Sequence, residues 1–323
     1  MTEIVVADVG GTHARFAIAD ISDPKNIVLA NEVTMQSASH ASLQTAWQAF
    51  EEEIGRELPR KGAIAVAAPV SGQDIYFTNS SWMVRPKLIG EKLNLEQFSL
   101  INDFGAVCHS IAALNSDMLQ HICGPDTETP EHGVITVVGP GTGLGVAHIL
   151  RAGDQYAVTE TEGGHVDFAP HDAIEDQLLA RLRKAHRRVS VERVVAGPGL
   201  REIYQLLSEL EGKRSKQLDD KALWQLALSG EDSIAAAAFG RFCLCLGGVS
   251  GDLALAQGAK MVVLAGGLGN RIAKRLPSSG FKQRFVAKGR FQSMMEQIPV
   301  KQLIHPQPGL YGAAAAFIRE HDL

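Results

Sequence analysis

Apolar residues in this chain fall into short dense runs closed by glycine, alternating with longer stretches in which they recur every three or four positions. The first run, Ile4-Val5-Val6-Ala7-Asp8-Val9, stops at Gly10-Gly11 and resumes from His13 to Ile18, the pattern of a hairpin with a tight turn. Ile27 to Val33 predicts a third strand. Ser42 to Ile54 predicts a helix, with Leu43, Ala46, Trp47, Phe50 and Ile54 on one stripe. Ala63 to Ala68 is a short strand suited to burial on both faces and stopped by Pro69. A helix is expected from Pro86 to Leu93, a strand from Phe98 to Ile101, and a helix from Gly105 to Leu114. Strand and helix alternate, which predicts an α/β fold.

The opening pattern then recurs. Gly133 to Val138 is a strand, Gly139-Pro140-Gly141-Thr142-Gly143-Leu144-Gly145 a glycine turn, and Val146 to Leu150 a returning strand. Strand, glycine turn with Thr, strand: the repeat comes about 130 residues after the first and implies two related halves. From Asp172 to Phe285 the chain reads as mostly helical, with one long helix from Ile234 to Ala256. Its Gly240, Gly247, Gly248 and Gly251 would let a neighbour approach closely. Met261 to Ala265 is a further strand ending in Gly266-Gly267. A strand at Val300 to Ile304 and a helix from Gly309 to Arg319 complete the pattern.

At 323 residues the chain has room for about two domains. Its composition, 45% hydrophobic and 21% charged, is that of a soluble globular protein. Lys and Arg number 31 against 36 Asp and Glu, a net charge of −5 that argues against nucleic acid as a partner. The basic run Arg181 to Arg188 falls at the end of a predicted helix, where cations suit the dipole, and reads as a solvated face. Cys108, Cys123, Cys243 and Cys245 form no C-x-x-C pair and read as reduced, partly buried thiols. With no leader expected before the first strand and no apolar run expected to approach the length of a membrane span, a cytoplasmic location is expected.

Each of three glycine turns follows an apolar strand, a common place for ligands in α/β sheets. In Asp8-Val9-Gly10-Gly11-Thr12, backbone N–H groups can approach a phosphate, the Thr hydroxyl can add a bond, and Asp8 can hold a metal ion or its water. An ordinary hairpin would look the same. Gly139 to Gly145 fits neither G-x-G-x-x-G nor a Walker A loop. Two Thr-bearing turns, a third Gly-Gly turn and tandem α/β modules suit a nucleotide triphosphate held between two domains. By spacing, Asn102 and Asp103 read either as a helix N-cap pair or as a strand-end carboxylate and amide projecting into a cleft, and Glu162-Gly163-Gly164-His165 either as an exposed loop or as a turn that points a carboxylate and an imidazole at one small ligand. Glu192 in Ser190-Val191-Glu192-Arg193 reads as an acidic residue in the first turn of a capped helix.

The order and content of the turns resemble the sugar kinases of the actin, Hsp70 and hexokinase superfamily. Within it the chain is similar, over nearly its whole length, to the bacterial glucokinase family that lacks the zinc motif. The resemblance implies two ribonuclease H-like (actin-like ATPase) domains flanking a cleft: a small α/β domain of residues 1–105 plus 303–323, and a larger one of 106–302 with extra helices. It implies that Asp8, Gly10, Gly11 and Thr12, with Gly139, Gly141, Thr142 and Gly143, contact the ATP phosphates, and that Gly266 and Gly267 face the adenosine. Asp103 becomes the catalytic base, and Asn102, Glu162, His165 and Glu192 the sugar ligands, with Asn79 beside them. Trp82 belongs either to that segment or to the core. The implied reaction is ATP-dependent phosphorylation of glucose to glucose 6-phosphate, the first step of glucose catabolism, with Mg²⁺ at the phosphates and Asp8 as its candidate ligand. A homodimer is implied as well. A kinase for mannose or an N-acetylated amino sugar is the alternative. A sugar-sensing regulator would need a DNA-binding module, for which no room is expected between Ile4 and Leu323.

Overall fold

The dense apolar runs become strands because Val, Ile and Ala at successive positions fill both faces of a covered sheet. The computed structural model describes residues 2–70, 72–77 and 82–323; Asn79 lies outside the described residues. The chain opens with β1 (Glu3–Val9), β2 (His13–Asp20) and β3 (Val28–Gln36), followed by α1 (Leu43–Ile54) and β4 (Lys61–Val66). Two short strands, β5 (Ile75–Tyr76) and β6 (Met83–Val84), precede α2 (Ile89–Lys92), β7 (Gln97–Asn102) and α3 (Asp103–Ala113). Then come β8 (Leu119–Cys123), β9 (His132–Pro140), β10 (Leu144–Ala152) and β11 (Gln155–Thr161). The helical stretch comprises α4 (Ala173–Ala185), α5 (Glu192–Val195), α6 (Gly199–Leu210), α7 (Asp220–Ser229) and α8 (Ser233–Gln257). It is followed by β12 (Ala259–Leu264), α9 (Gly266–Ile272), α10 (Phe281–Val286), α11 (Gln292–Met295), β13 (Val300–Leu303) and α12 (Pro308–Glu320).

Two units divide these elements: Met1–Asn115 with His305–Leu323, and Ser116–Ile304. The division falls after Asn115 rather than at 105, because α3 packs along α12 and stays with the first unit. The first sheet runs β3-β2-β1-β4-β7 and the second β11-β10-β9-β12-β13-β8. In each, the first strand pairs antiparallel with the second and parallel with the strand after the helix. Setting β8 aside, the two orders coincide strand for strand, so the sequence repeat is a repeat of topology.

In the first unit α1 is fixed by a capping box, Ser42 with Thr45, and lays Leu43, Ala46, Trp47 and Phe50 on the sheet. Phe50 stacks on Phe16 at 5.4 Å and Trp47 meets the same ring edge-on at 6.1 Å. Trp82 is core too: it is 2% exposed, and its indole N–H donates to the His40 carbonyl at 2.8 Å.

In the second unit α8 corrects the expectation about apolar runs, being 25 residues long and apolar enough by length and composition to cross a membrane. Its apolar window is 67% buried within the fold, as a core helix requires. Gly247 and Gly251 allow α10 to lie directly on it, with the carbonyls of Phe281 and Phe285 where side chains would otherwise stand. Gly240 has no such neighbour within 4 Å. Asp172 caps α4, and its carboxylate with that of buried Glu175 meets Arg241 of α8 and Arg284 of α10. Burial alone would lift the Asp172 carboxyl, but bonds from Arg241, the Glu175 N–H and Arg284 hold it at about 2. All four cysteines are free and buried, and burial pushes the Cys243 thiol up to about 12. The basic run is solvent-facing in part: Arg181 pairs with Glu209 at 2.6 Å and Arg188 with Asp167 at 2.6 Å.

Candidate active site

Strand register decides which residues share a sheet edge. In the first unit Val9 of β1 pairs with Val66 of β4, and Val66 with Asn102 of β7, all three strands parallel. The first glycine turn, the end of β4 and the Asn102-Asp103 junction therefore leave the sheet side by side at its carboxyl edge, the usual ligand position in such sheets. Ala67 N–H donates to Val9 O at 2.9 Å and stitches two of these ends together.

The first turn is held from behind. Gly10 N–H donates to His13 O at 2.9 Å, while Ser37 gives its N–H to Thr12 O at 2.9 Å and its hydroxyl to Gly10 O at 3.1 Å. The carbonyls of Gly10 and Thr12 are thus occupied, and the N–H groups of Gly11 and Thr12 have no backbone partner among the described residues. Asp8 accepts from Arg15 at 3.1 Å, and a Cβ on Gly309 of α12 would come 2.7 Å from its carboxyl carbon. Burial raises the Asp8 carboxyl above its ordinary value, and the Arg15 guanidinium works against that rise.

Asn102 caps α3, its Oδ1 accepting from Phe104 N–H at 2.9 Å and Gly105 N–H at 3.2 Å. Its Nδ2 donates to Ala68 O at 3.3 Å. Asp103 opens the helix, with Oδ1 accepting from Phe104 N–H at 2.8 Å. The cap read from spacing is real, and it fixes where the Asp103 carboxylate starts.

The second unit repeats the arrangement. Val138 of β9 pairs with Leu264 of β12 in parallel, so the turns after both strands emerge together, and Ala265 N–H donates to Val138 O at 2.9 Å. Gly266, at φ +83°, takes the left-handed conformation that starts α9. Gly141 N–H donates to Gly143 O at 2.9 Å, and Gly197 N–H to Gly141 O at 2.7 Å. Glu192 accepts the Leu144 N–H on Oε2 at 2.8 Å.

Glu162-Gly163-Gly164-His165 folds as a short 3₁₀ turn directly on β10, the strand leaving the second glycine turn. His165 N–H bonds to Glu162 O at 2.9 Å, and the two side chains stand 3.8 Å apart, 57% and 80% exposed. Val191 N–H donates to Val166 O at 2.9 Å, joining this loop to the Glu192 segment. Glu162, His165 and Glu192 are thus gathered around the second turn, while Asn102 and Asp103 belong to the first unit.

A cavity of about 480 Å³ in the second unit is lined by Gly141, Thr142, Gly197, Trp224, Gly267 and Arg271 among others. It joins the second and third glycine turns and has the polar rim and aromatic wall that suit a nucleoside. Trp224 is held there by its N–H to Gly197 O at 3.0 Å. Neither Trp224 nor Arg271 was legible as a site residue, since each looks like part of an ordinary helix pattern. Ser37, which locks the first turn, carries no local signal at all; Arg15 could have been found by its place opposite Asp8 in the hairpin.

Two matching sheets with glycine turns at their carboxyl edges, and a carboxylate–imidazole loop beside one of them, give the chain the fold of the actin-like ATPase sugar kinases. The family model described as Glucokinase matches residues 5–320. The chain is 57% identical over 320 residues to the glucokinase of Zymomonas mobilis, covering 99% of each, and 36% identical to that of Tolumonas auensis, covering 97% of this chain and 96% of that one. A crystal structure of glucokinase from an Antarctic psychrotroph superposes with TM-score 0.88 at 34% identity, covering 99% of both chains. The chain belongs to the glucokinase family.

Proposed function

We propose that this chain transfers the γ-phosphoryl group of ATP to the 6-hydroxyl of glucose, giving glucose 6-phosphate and ADP. The observation that supports this most directly is the seating of Glu162-Gly163-Gly164-His165 on the strand that leaves the second glycine turn. A sugar binds through vicinal hydroxyls that both donate and accept, and carboxylate, imidazole and amide side chains meet them in complementary ways. In this reading Glu162, His165, Glu192 and Asn102 hold the sugar. Asp103 takes the hydroxyl proton as the oxygen–phosphorus bond forms. The N–H groups of Gly11, Thr12, Thr142 and Gly143 receive the phosphate oxygens, and Gly266-Gly267 with Trp224 receives the nucleoside. Asn79 remains a sugar contact by resemblance alone.

Asp8 fits a magnesium site of the kind this reaction uses. Mg²⁺ takes one or two carboxylates and fills its other positions with water and phosphate, so a single carboxylate beside a phosphate turn is enough. Among the described residues no cluster of three or more ligating side chains exists. When bound, the ion supplies positive charge to the phosphate oxygens. We place the enzyme in the cytoplasm, at the entry of glucose into catabolism, as a homodimer.

A coupled assay with ATP, Mg²⁺ and a panel of hexoses tests the reading. Glucose should be the preferred acceptor over mannose and N-acetylated amino sugars, and Asp103→Asn should lower kcat by about 10²–10⁴. Glucose left unphosphorylated, or an Asp103→Asn enzyme within a few-fold of the parent, overturns it.

A further inference from the structure

We infer that Glu192 is a positioning residue for the second glycine turn, so that nucleotide affinity depends on it even when no sugar is bound. This rests on the kinase reading and deepens it. The Glu192 side chain leaves the first residue of α5 and ends under the turn, where Oε2 accepts the Leu144 N–H at 2.8 Å. The same oxygen would lie 2.6 Å from a Cβ placed on Gly143, so turn and carboxylate are in direct register. Among the described residues Glu192 forms no ion pair.

The neighbouring backbone completes a strut. Gly197 N–H donates to Gly141 O at 2.7 Å, on the other side of the turn, and Val191 N–H donates to Val166 O at 2.9 Å, at the end of the sugar loop. Residues 191–197 are therefore bonded to both flanks of the turn and to the loop that carries His165. A carboxylate accepting a peptide N–H makes a charge-assisted bond, about twice as strong as a neutral one. It holds Leu144 in place, and with it the preceding Thr142 and Gly143, whose N–H groups have no backbone partner among the described residues.

The test is calorimetric titration of ADP into sugar-free protein, with each variant's melting temperature recorded. Glu192→Ala should weaken ADP about tenfold and Glu192→Asp, one methylene short of Leu144, about fivefold. Glu192→Gln, which keeps a carbonyl acceptor, should stay within about threefold. Gly143→Ala should weaken ADP in the parent and clearly less in the Glu192→Ala background, where the opposing oxygen is gone. ADP affinity unchanged in folded Glu192→Ala and Glu192→Asp, or a Gly143→Ala penalty equal in both backgrounds, overturns the inference while leaving the kinase reading intact. If Glu192→Ala does not fold, Glu192→Asp and Gly143→Ala still decide the matter. A parent protein that binds no ADP overturns both readings together.

Discussion

Gly164 lies against the carbonyl oxygen of Leu144 with no space for a Cβ between them, and a Cβ on Gly163 would stand 2.8 Å from the Val146 side chain. The two glycines of the Glu-Gly-Gly-His loop are thus packing residues: they let the loop backbone rest on β10 immediately beyond the second glycine turn. The arrangement predicts that Gly164→Ala displaces the loop. The glucose KM should rise at least about tenfold while the ATP KM moves less, and the melting temperature should fall by several degrees. A glucose KM within twofold of the parent would remove this packing from the account of sugar binding.

Asn102 offers a way to separate capping from sugar recognition, because Ser can cap a helix but lacks the amide. Asn102→Ala should cost about 1 kcal/mol of stability along with sugar affinity. Asn102→Ser should keep the melting temperature and still raise the glucose KM. Equal melting temperatures with an unchanged KM in Asn102→Ser would leave the residue as a cap alone.

Arg15 governs the charge of Asp8. Burial lifts the Asp8 carboxyl and the guanidinium opposes that lift, so its removal must push the carboxyl higher still. In Arg15→Gln the acid limb of kcat/KM for ATP should therefore move to higher pH. An acid limb that stays in place would assign it to another group.

His109 on α3 makes stability fall in mildly acidic solution. Burial, with the charge of Arg319 on α12 adding to it, lowers the imidazole from the usual 6.5 to about 4. Between those values the unfolded chain binds a proton that the native chain refuses, so stability decreases as pH drops from about 6.5 toward 4 and is fully present above that window. The slope integrates to about 3 kcal/mol. Denaturant titrations across that range should show the loss, and His109→Gln should flatten it. A parental slope retained by the variant would exclude His109 as the source.

The sheets, the helices on their faces and the glycine turns could be read from the chain because each depends on a local pattern. Leu264 and Val66 sit in unbroken apolar runs, Val138 in one broken only by Thr136, and Ser42 announces α1 by its cap. Elements without such a pattern stayed hidden. The edge strand β11 has no fully buried position, so no apolar run marks it. The partnership of Glu192 with Leu144 spans 48 residues and was set by how α5 docks, not by any spacing in the sequence. Asp103 shows the intermediate case: its place at a strand end was legible, but a helix start and a catalytic site leave the same trace in a single chain. The membrane-length apolar window of α8 is hard to see in the chain because glycines interrupt it; in three dimensions Gly247 and Gly251 are what α10 rests on.

The last helix, α12, belongs to the first unit, with Gly309 against Asp8 and a face packed on α3. It is translated only after the whole of Ser116–Ile304 has left the ribosome. The unit that begins the chain therefore waits, its apolar sheet face uncovered, until a continuous later unit has been made and has had time to fold. Synthesis and assembly run in opposite orders here: the first strands made are among the last to be enclosed. A nascent chain stalled before Pro308 should accordingly expose β1 and β4 to chaperones and proteases while its later unit is already protected.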